Sequence, residues 1–152
     1  MRDHRRRDAH VMADCLFCEI AAGRTGAFIV REDEHTVAFL DRRPLFPGHC
    51  LVIPRQHHVT LPELPVELAG PLFEAVRELS AAVPRAMSAD GSFVAVNNTV
   101  SQSVAHLHVH VVPRKFKDGL RGFFWPRQTY RDDAEAREIQ DAISKSLRAS
   151  AH

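Results

Sequence analysis

Nowhere does this 152-residue chain string together the roughly eighteen apolar residues that a membrane-spanning helix requires. The basic start, Met1-Arg2-Asp3-His4-Arg5-Arg6-Arg7, is followed by no apolar signal core. Its absence argues against secretion and for a cytoplasmic protein. Charge of one sign is lacking too. Twenty Lys and Arg against 19 Asp and Glu leave a formal net charge of +1, so no global basic field marks duplex nucleic acid as the partner. Cysteine is scarce: three cannot all pair, and Cys15-x-x-Cys18 in a chain without an export signal points to metal before disulfide. Cys50, within an apolar run, is most simply a small core residue.

What the chain does have is ordinary globular material, 45% hydrophobic and 26% charged, enough for one domain with a sizeable core. Residues 1–12 read as a poorly ordered basic leader ahead of a single domain over 13–150. One run stands out, His106-Leu107-His108-Val109-His110-Val111-Val112. Its period of two predicts a β-strand with three imidazoles on one face and Leu107, Val109 and Val111 on the other. At twice the rise per residue the histidines stand about 7 Å apart. That is too far to bond one another but suits a row that grips phosphates or divides between metal and substrate. Imidazole, with a free pKa near 6.5, offers an unprotonated nitrogen as nucleophile or ligand at neutral pH and can also donate a proton.

With the triad complete as His106, His108 and His110, the sequence resembles the histidine triad (HIT) family of nucleotide hydrolases and transferases, whose signature is His-x-His-x-His followed by two apolar residues. The likeness continues through Gln102-Ser103-Val104, Phe39-Leu40-Asp41, Pro47-Gly48-His49 and Leu51-Val52-Ile53-Pro54 to Cys15-Leu16-Phe17-Cys18.

In chain order, Asp14 is a candidate N-cap for a short helix over Cys15 to Ala22 that Gly23 stops. Strands are predicted at Phe28–Arg31, Thr36–Leu40, His49–Pro54 and Ser92–Asn97, besides the histidine strand. Apolar residues Leu68, Leu72, Val76, Leu79, Val83 and Met87, stepping by three or four, predict the main helix, with Pro71 expected to start or break it and Pro84 to end or kink it. Asp133 is the predicted cap of a final helix whose stripe Ala136, Ile139, Ile143 and Leu147 reads most simply as a docking face. The expected architecture is α+β: a five-stranded antiparallel sheet with a main helix, a short N-terminal helix and a C-terminal helix. The resemblance implies that two such sheets join edge to edge in a homodimer, and an open sheet does have edges that need covering.

Phosphoryl or nucleotidyl transfer needs a nucleophile, groups around the phosphate oxygens and a proton source for the leaving group. The resemblance assigns the attack to His108, through a covalent nucleotidyl-histidine that water later breaks. It also implies that His110 holds the phosphate or leaving-group oxygen, that His49 supplies a further donor, and that Ser103 and Gln102 contact the phosphate and leaving group. Asp41 matches the acceptor of both ribose hydroxyls, and Phe17, Ile20, Phe39 and Ile53 match the slot around the base. Many family members carry a glycine-rich turn before Gln-Ser. Here Thr99-Val100-Ser101 stands in its place, which leaves Asn97 and Asn98 as candidates to orient substrate instead. In members with Cys-x-x-Cys, the third ligand is the histidine after Ile-Pro-x-x. Cys15, Cys18, His57 and His106 therefore make a Cys2His2 set for structural zinc.

Beyond the triad, Arg114, Lys115, Lys117, Arg121 and Arg127 outline a possible basic rim, and the aromatic stretch up to Trp125 a possible cover for the site or the dimer edge. Three functions compete. The first is an enzyme acting at the α-phosphorus of a nucleotide conjugate (phosphoramidate, acyl-adenylate or dinucleoside polyphosphate). The second is a non-catalytic nucleotide- and zinc-binding interaction module. The third makes the histidine row itself a catalytic metal centre.

Overall fold

A computed structural model describes residues 14–121 and 126–150. The expected leader and the aromatic stretch 122–125 lie outside the described residues. The chain divides into two compact units, one ending at Asp118 and the other starting at Gly119.

The first unit is built on strands β1 (Ile29–Glu32), β2 (Thr36–Leu40), β3 (Cys50–Pro54), β4 (Gly91–Val96) and β5 (Val109–Arg114), with helices α1 (Leu16–Ala21) and α2 (Val66–Ala86). The strands form one sheet in the order β1-β2-β3-β5-β4, every pair antiparallel. Together with the C-terminal helix α3 (Asp133–Ser150), this is the expected α+β architecture.

The central strands are apolar on both faces, and the period of two sorts their residues into two cores. Ala38, Cys50, Val52, Leu107, Val109 and Val111 pack with Leu72, Ala75, Val76, Leu79 and Val83 of α2. On the opposite face Val37, Phe39, Leu51 and Ile53 pack with Cys15, Phe17, Cys18 and Ile20 around α1. That second face carries the site.

Four local expectations are corrected. The cap of α1 is Cys15, whose Sγ accepts from the Cys18 N–H at 3.4 Å, and Asp14 plays no such part. Helix α2 runs unbroken through Pro71 and Pro84 for 21 residues. Each interior proline costs about 3 kcal/mol, yet Leu68, Leu72, Val76, Leu79 and Val83 are all buried along one face. At about 1.5–3 kcal/mol each, that burial outweighs both breaks. The histidine strand begins late, at Val109. His106 and His108 lie in an extended lead-in, where the Leu107 N–H goes to the His58 carbonyl at 2.7 Å and the His106 carbonyl is taken by the ring of His108. A ladder cannot start where a side chain already holds the carbonyl. Alternation survives nonetheless: Leu107, Val109 and Val111 are 0% exposed on the α2 side.

In the second unit, α3 is capped by Asp132, which takes the Glu135 N–H at 2.8 Å, while Glu135 reaches back to the Arg131 N–H at 2.6 Å. This reciprocal pair displaces Asp133 from the role expected of it. The side chains of Ile139, Ile143 and Leu147 on its apolar stripe are exposed. No described helix is long and apolar enough to cross a membrane.

Candidate functional site

A cavity of about 290 Å³ opens between α1, the loop 25–27, the end of β2, and the lead-in to β5. Leu16, Phe17, Ile20, Phe39 and Leu51 give it an apolar wall, and Asp41, Arg42, Arg43, Ser103, His108 and His110 give it a polar one. Of the residues singled out in the sequence, Phe17, Ile20, Phe39, Asp41, Ser103, His108 and His110 therefore share one space. Ile53 does not line it, lying 0% exposed in the core beneath. His49 is buried behind it, in contact with His110.

The hydrogen bonds assign every proton in the histidine row. His108 has its Nδ1 2.7 Å from the His106 carbonyl, which can only accept. The proton therefore sits on Nδ1, leaving Nε2 with a free lone pair. Phe17, edge-on to the ring at 5.1 Å, and His110, at 5.0 Å, hold the imidazole in place. His49 accepts the Leu45 N–H at Nδ1 (3.1 Å), so its own proton is on Nε2, 2.9 Å from His110 Nδ1. His110 thus accepts at Nδ1 and carries its hydrogen on Nε2 as a donor. The row presents one bare nitrogen and, beside it, one N–H.

Burial keeps His110 and His49 neutral. It pushes the pKa of His110 down to about 4, with His108 and His49 adding to the effect and Asp41 opposing it. It also lowers that of His49, against the pull of the Asp41 carboxylate, whose Oδ2 lies 3.7 Å from Nε2. His49 owes its place to Gly48, at φ +99°: a Cβ there would come within 2.6 Å of Met87 Cγ, so the turn into β3 admits only glycine.

The first triad histidine faces elsewhere. His106 donates from Nε2 to the Pro54 carbonyl at 2.9 Å, which turns a bare Nδ1 toward Cys15 Sγ (3.4 Å), Cys18 Sγ (3.5 Å) and His57 Nδ1 (3.3 Å). Cys18 Sγ is 3.2 Å from His57 Nδ1. All four ligand atoms lie within 4.8 Å of one another. A tetrahedron with metal–N near 2.0–2.1 Å and metal–S near 2.3 Å has edges of roughly 3.3–3.8 Å, so the set fits a tetrahedral cation. Burial pushes the Cys18 thiol up to about 12, with the Cys15 thiol next in effect, and pushes His106 down to about 4. A bare His106 lone pair and a reluctant Cys18 thiol packed together are what a divalent cation would resolve. Asp41, His49 and His110 also converge, but there the His49–His110 hydrogen bond already fills the space between the rings.

The turn before the triad builds glycine's shape without glycine. Thr99 and Ser101 sit at φ +70° and +61°, at a cost of roughly 1–2 kcal/mol each. The amide side chains expected to meet substrate hold this turn: Asn97 donates to the Ser101 carbonyl at 3.3 Å, Asn98 accepts the Leu61 N–H at 2.8 Å, and Gln102 bridges the Thr99 N–H (2.9 Å) and the Val59 carbonyl (2.5 Å). Sequence reasoning missed Arg42, Arg43 and the loop Thr25-Gly26-Ala27 as cavity residues; the adjacency of the two arginines to Asp41 was the one available signal. Of the expected basic rim, Arg114 is spent on Asp118, at 2.6 and 3.1 Å.

A five-stranded antiparallel sheet backed by one long helix, with a histidine row facing a cavity of small-molecule size, defines a ligand-binding α+β protein. The chain belongs to the HIT family: the HIT domain model matches residues 23–117. It superposes on the crystal structure of a Streptococcus mutans protein with a TM-score of 0.81 at 35% identity, over 88% of this chain and 85% of that one. A zinc-bound histidine triad family protein from Mycobacterium smegmatis matches at 33% identity and a TM-score of 0.68, over 91% and 99% of the two chains. By sequence, an Arabidopsis thaliana adenylylsulfatase is 32% identical over 88% of this chain and 70% of its own length.

Proposed function

We propose that the protein is a hydrolase or transferase acting at the α-phosphorus of a nucleotide conjugate. The observation that carries this reading is the bond from His108 Nδ1 to the His106 carbonyl, which leaves Nε2 bare in a cavity it shares with Asp41 and Ser103. In this reading Asp41 accepts the ribose hydroxyls, and Phe17, Ile20 and Phe39 hold the base. Ser103, whose hydroxyl takes no partner among the described residues, contacts the phosphate. His108 Nε2 attacks phosphorus as the leaving group departs, and the N–H of His110, oriented through His49, stabilises the oxygen on which charge develops. Water then breaks the P–N bond, returning the nucleotide and the free imidazole. Asn97, Asn98 and Gln102 serve by shaping the turn beside the phosphate, and Ile53 by backing the slot.

The Cys15, Cys18, His57 and His106 set is assigned to structural zinc, a reading supported by its fit to a tetrahedron and by the zinc-bound relative. Zinc there would supply only a fixed tie between α1 and the lead-in to β5. We further assign the protein to the cytoplasm and to a homodimer joined through sheet edges.

Rapid acid quench of the enzyme with an adenylyl conjugate, followed by peptide mass spectrometry, should find the nucleotide on His108. His108→Ala should lose turnover by at least ~10³-fold while still binding AMP. Turnover retained in that variant overturns the mechanism, and tight binding without any adduct or turnover selects the non-catalytic module instead.

A further inference from the structure

We propose that the cavity mouth carries a subsite for a phosphomonoester on the ribose of the bound nucleotide, formed by Arg42 and Arg43; the inference rests on the nucleotide reading above. Five other arginines of the first unit hold carboxylates. Arg24 pairs with Glu19, Arg31 with Asp33 and Glu78, Arg55 with Glu32, Arg77 with Glu74, and Arg114 with Asp118. The two that line the cavity do not. Arg42 donates to a neutral carbonyl, that of Gly26, at 2.8 Å. Arg43 engages Asp41 only through its backbone N–H, at 2.9 Å from Oδ1. Two guanidiniums and one carboxylate leave this rim at +1, in a place where both cations are always charged.

The position narrows the anion. The transferred phosphorus belongs to His108, His110 and Ser103, and the apolar wall suits an uncharged base. Asp41 is the acceptor for ribose hydroxyls, and the two arginines directly follow it in the chain. An anion at this rim other than the transferred phosphate is therefore one attached to the ribose, at the 2′ or 3′ oxygen, with Asp41 keeping the remaining hydroxyl. Guanidinium forks match phosphate oxygens in geometry as well as charge.

Calorimetric titration of the intact protein with AMP, adenosine 3′,5′-bisphosphate and adenosine 2′,5′-bisphosphate at low salt tests the proposal. One bisphosphate should bind at least ~10-fold tighter than AMP, as one charge-assisted contact would give, and the advantage should shrink with added salt. The ratio should fall toward one in Arg43→Ala and in the Arg42→Ala/Arg43→Ala double variant. If AMP binds and neither bisphosphate binds better, or if the advantage persists in both variants, this inference alone is overturned. If AMP itself does not bind, the nucleotide reading fails and the subsite falls with it.

Discussion

His108, His110 and His106 are the same residue type two positions apart, yet each carries a different task because each has a different partner for one nitrogen. A carbonyl fixes the proton on Nδ1 of His108 and on Nε2 of His106, while His49 fixes it on Nε2 of His110. The neutral, desolvated ring of His110 also couples the site to pH. The folded pKa of His110 is near 4, below the ordinary value near 6.5, so between those pH values the unfolded chain binds a proton that the folded chain does not. Stability is then full above pH ~6.5 and is lost as pH falls toward ~4. Because His110 is half-buried, we expect about 1–2 kcal/mol from it. Urea midpoints at pH 7 and pH 4.5 should differ in that sense in the wild type, and the difference should narrow in His110→Asn; an unchanged difference would show that the ring is not held neutral.

At the level of elements, α2 shows what packing overrides. Pro71 removes one backbone hydrogen bond from the second turn of a helix that stays whole because its buried face holds it. Pro71→Ala should restore that bond and raise stability by about 1–2 kcal/mol, less than the full proline penalty because the unfolded chain also gains freedom. The urea midpoint reads the change, and a lower midpoint would mean that the ring's own packing outweighs the missing bond. The triad turn obeys the same logic in the other direction. Thr99 and Ser101 take left-handed backbone in a turn that Asn97 closes on the Ser101 carbonyl and that Asn98 and Gln102 tie to residues 59–61.

For the molecule as a whole, the Cys2His2 cluster joins parts far apart in sequence: Cys15 and Cys18 at α1, His57 after β3, and His106 before β5. Under the zinc reading, purified protein contains one zinc per chain. Exhaustive chelation should lower Tm by roughly 5–10 °C, equivalent to ~2–3 kcal/mol in a chain of this size, and Cys18→Ser should be less stable and indifferent to chelator. Protein that is fully folded without metal and thermally unaffected by the chelator would overturn that assignment.

The period-two pattern of the central strands, the apolar face of α2 and the triad motif were legible because each is a local regularity that the fold then uses. Residue type and spacing nominated the two cysteines and the triad histidines, while the family resemblance nominated Asp41, His49 and His57. Tertiary structure decided the rest. It determined that prolines sit inside a continuous helix and that Asn97, Asn98 and Gln102 spend their amides on a turn. It also brought Arg42 and Arg43 to the cavity wall. The physical reason is the same in each case: a side chain's partner, and with it its proton and its role, is set by what lies opposite in space, and sequence spacing carries that information only within a turn or a strand.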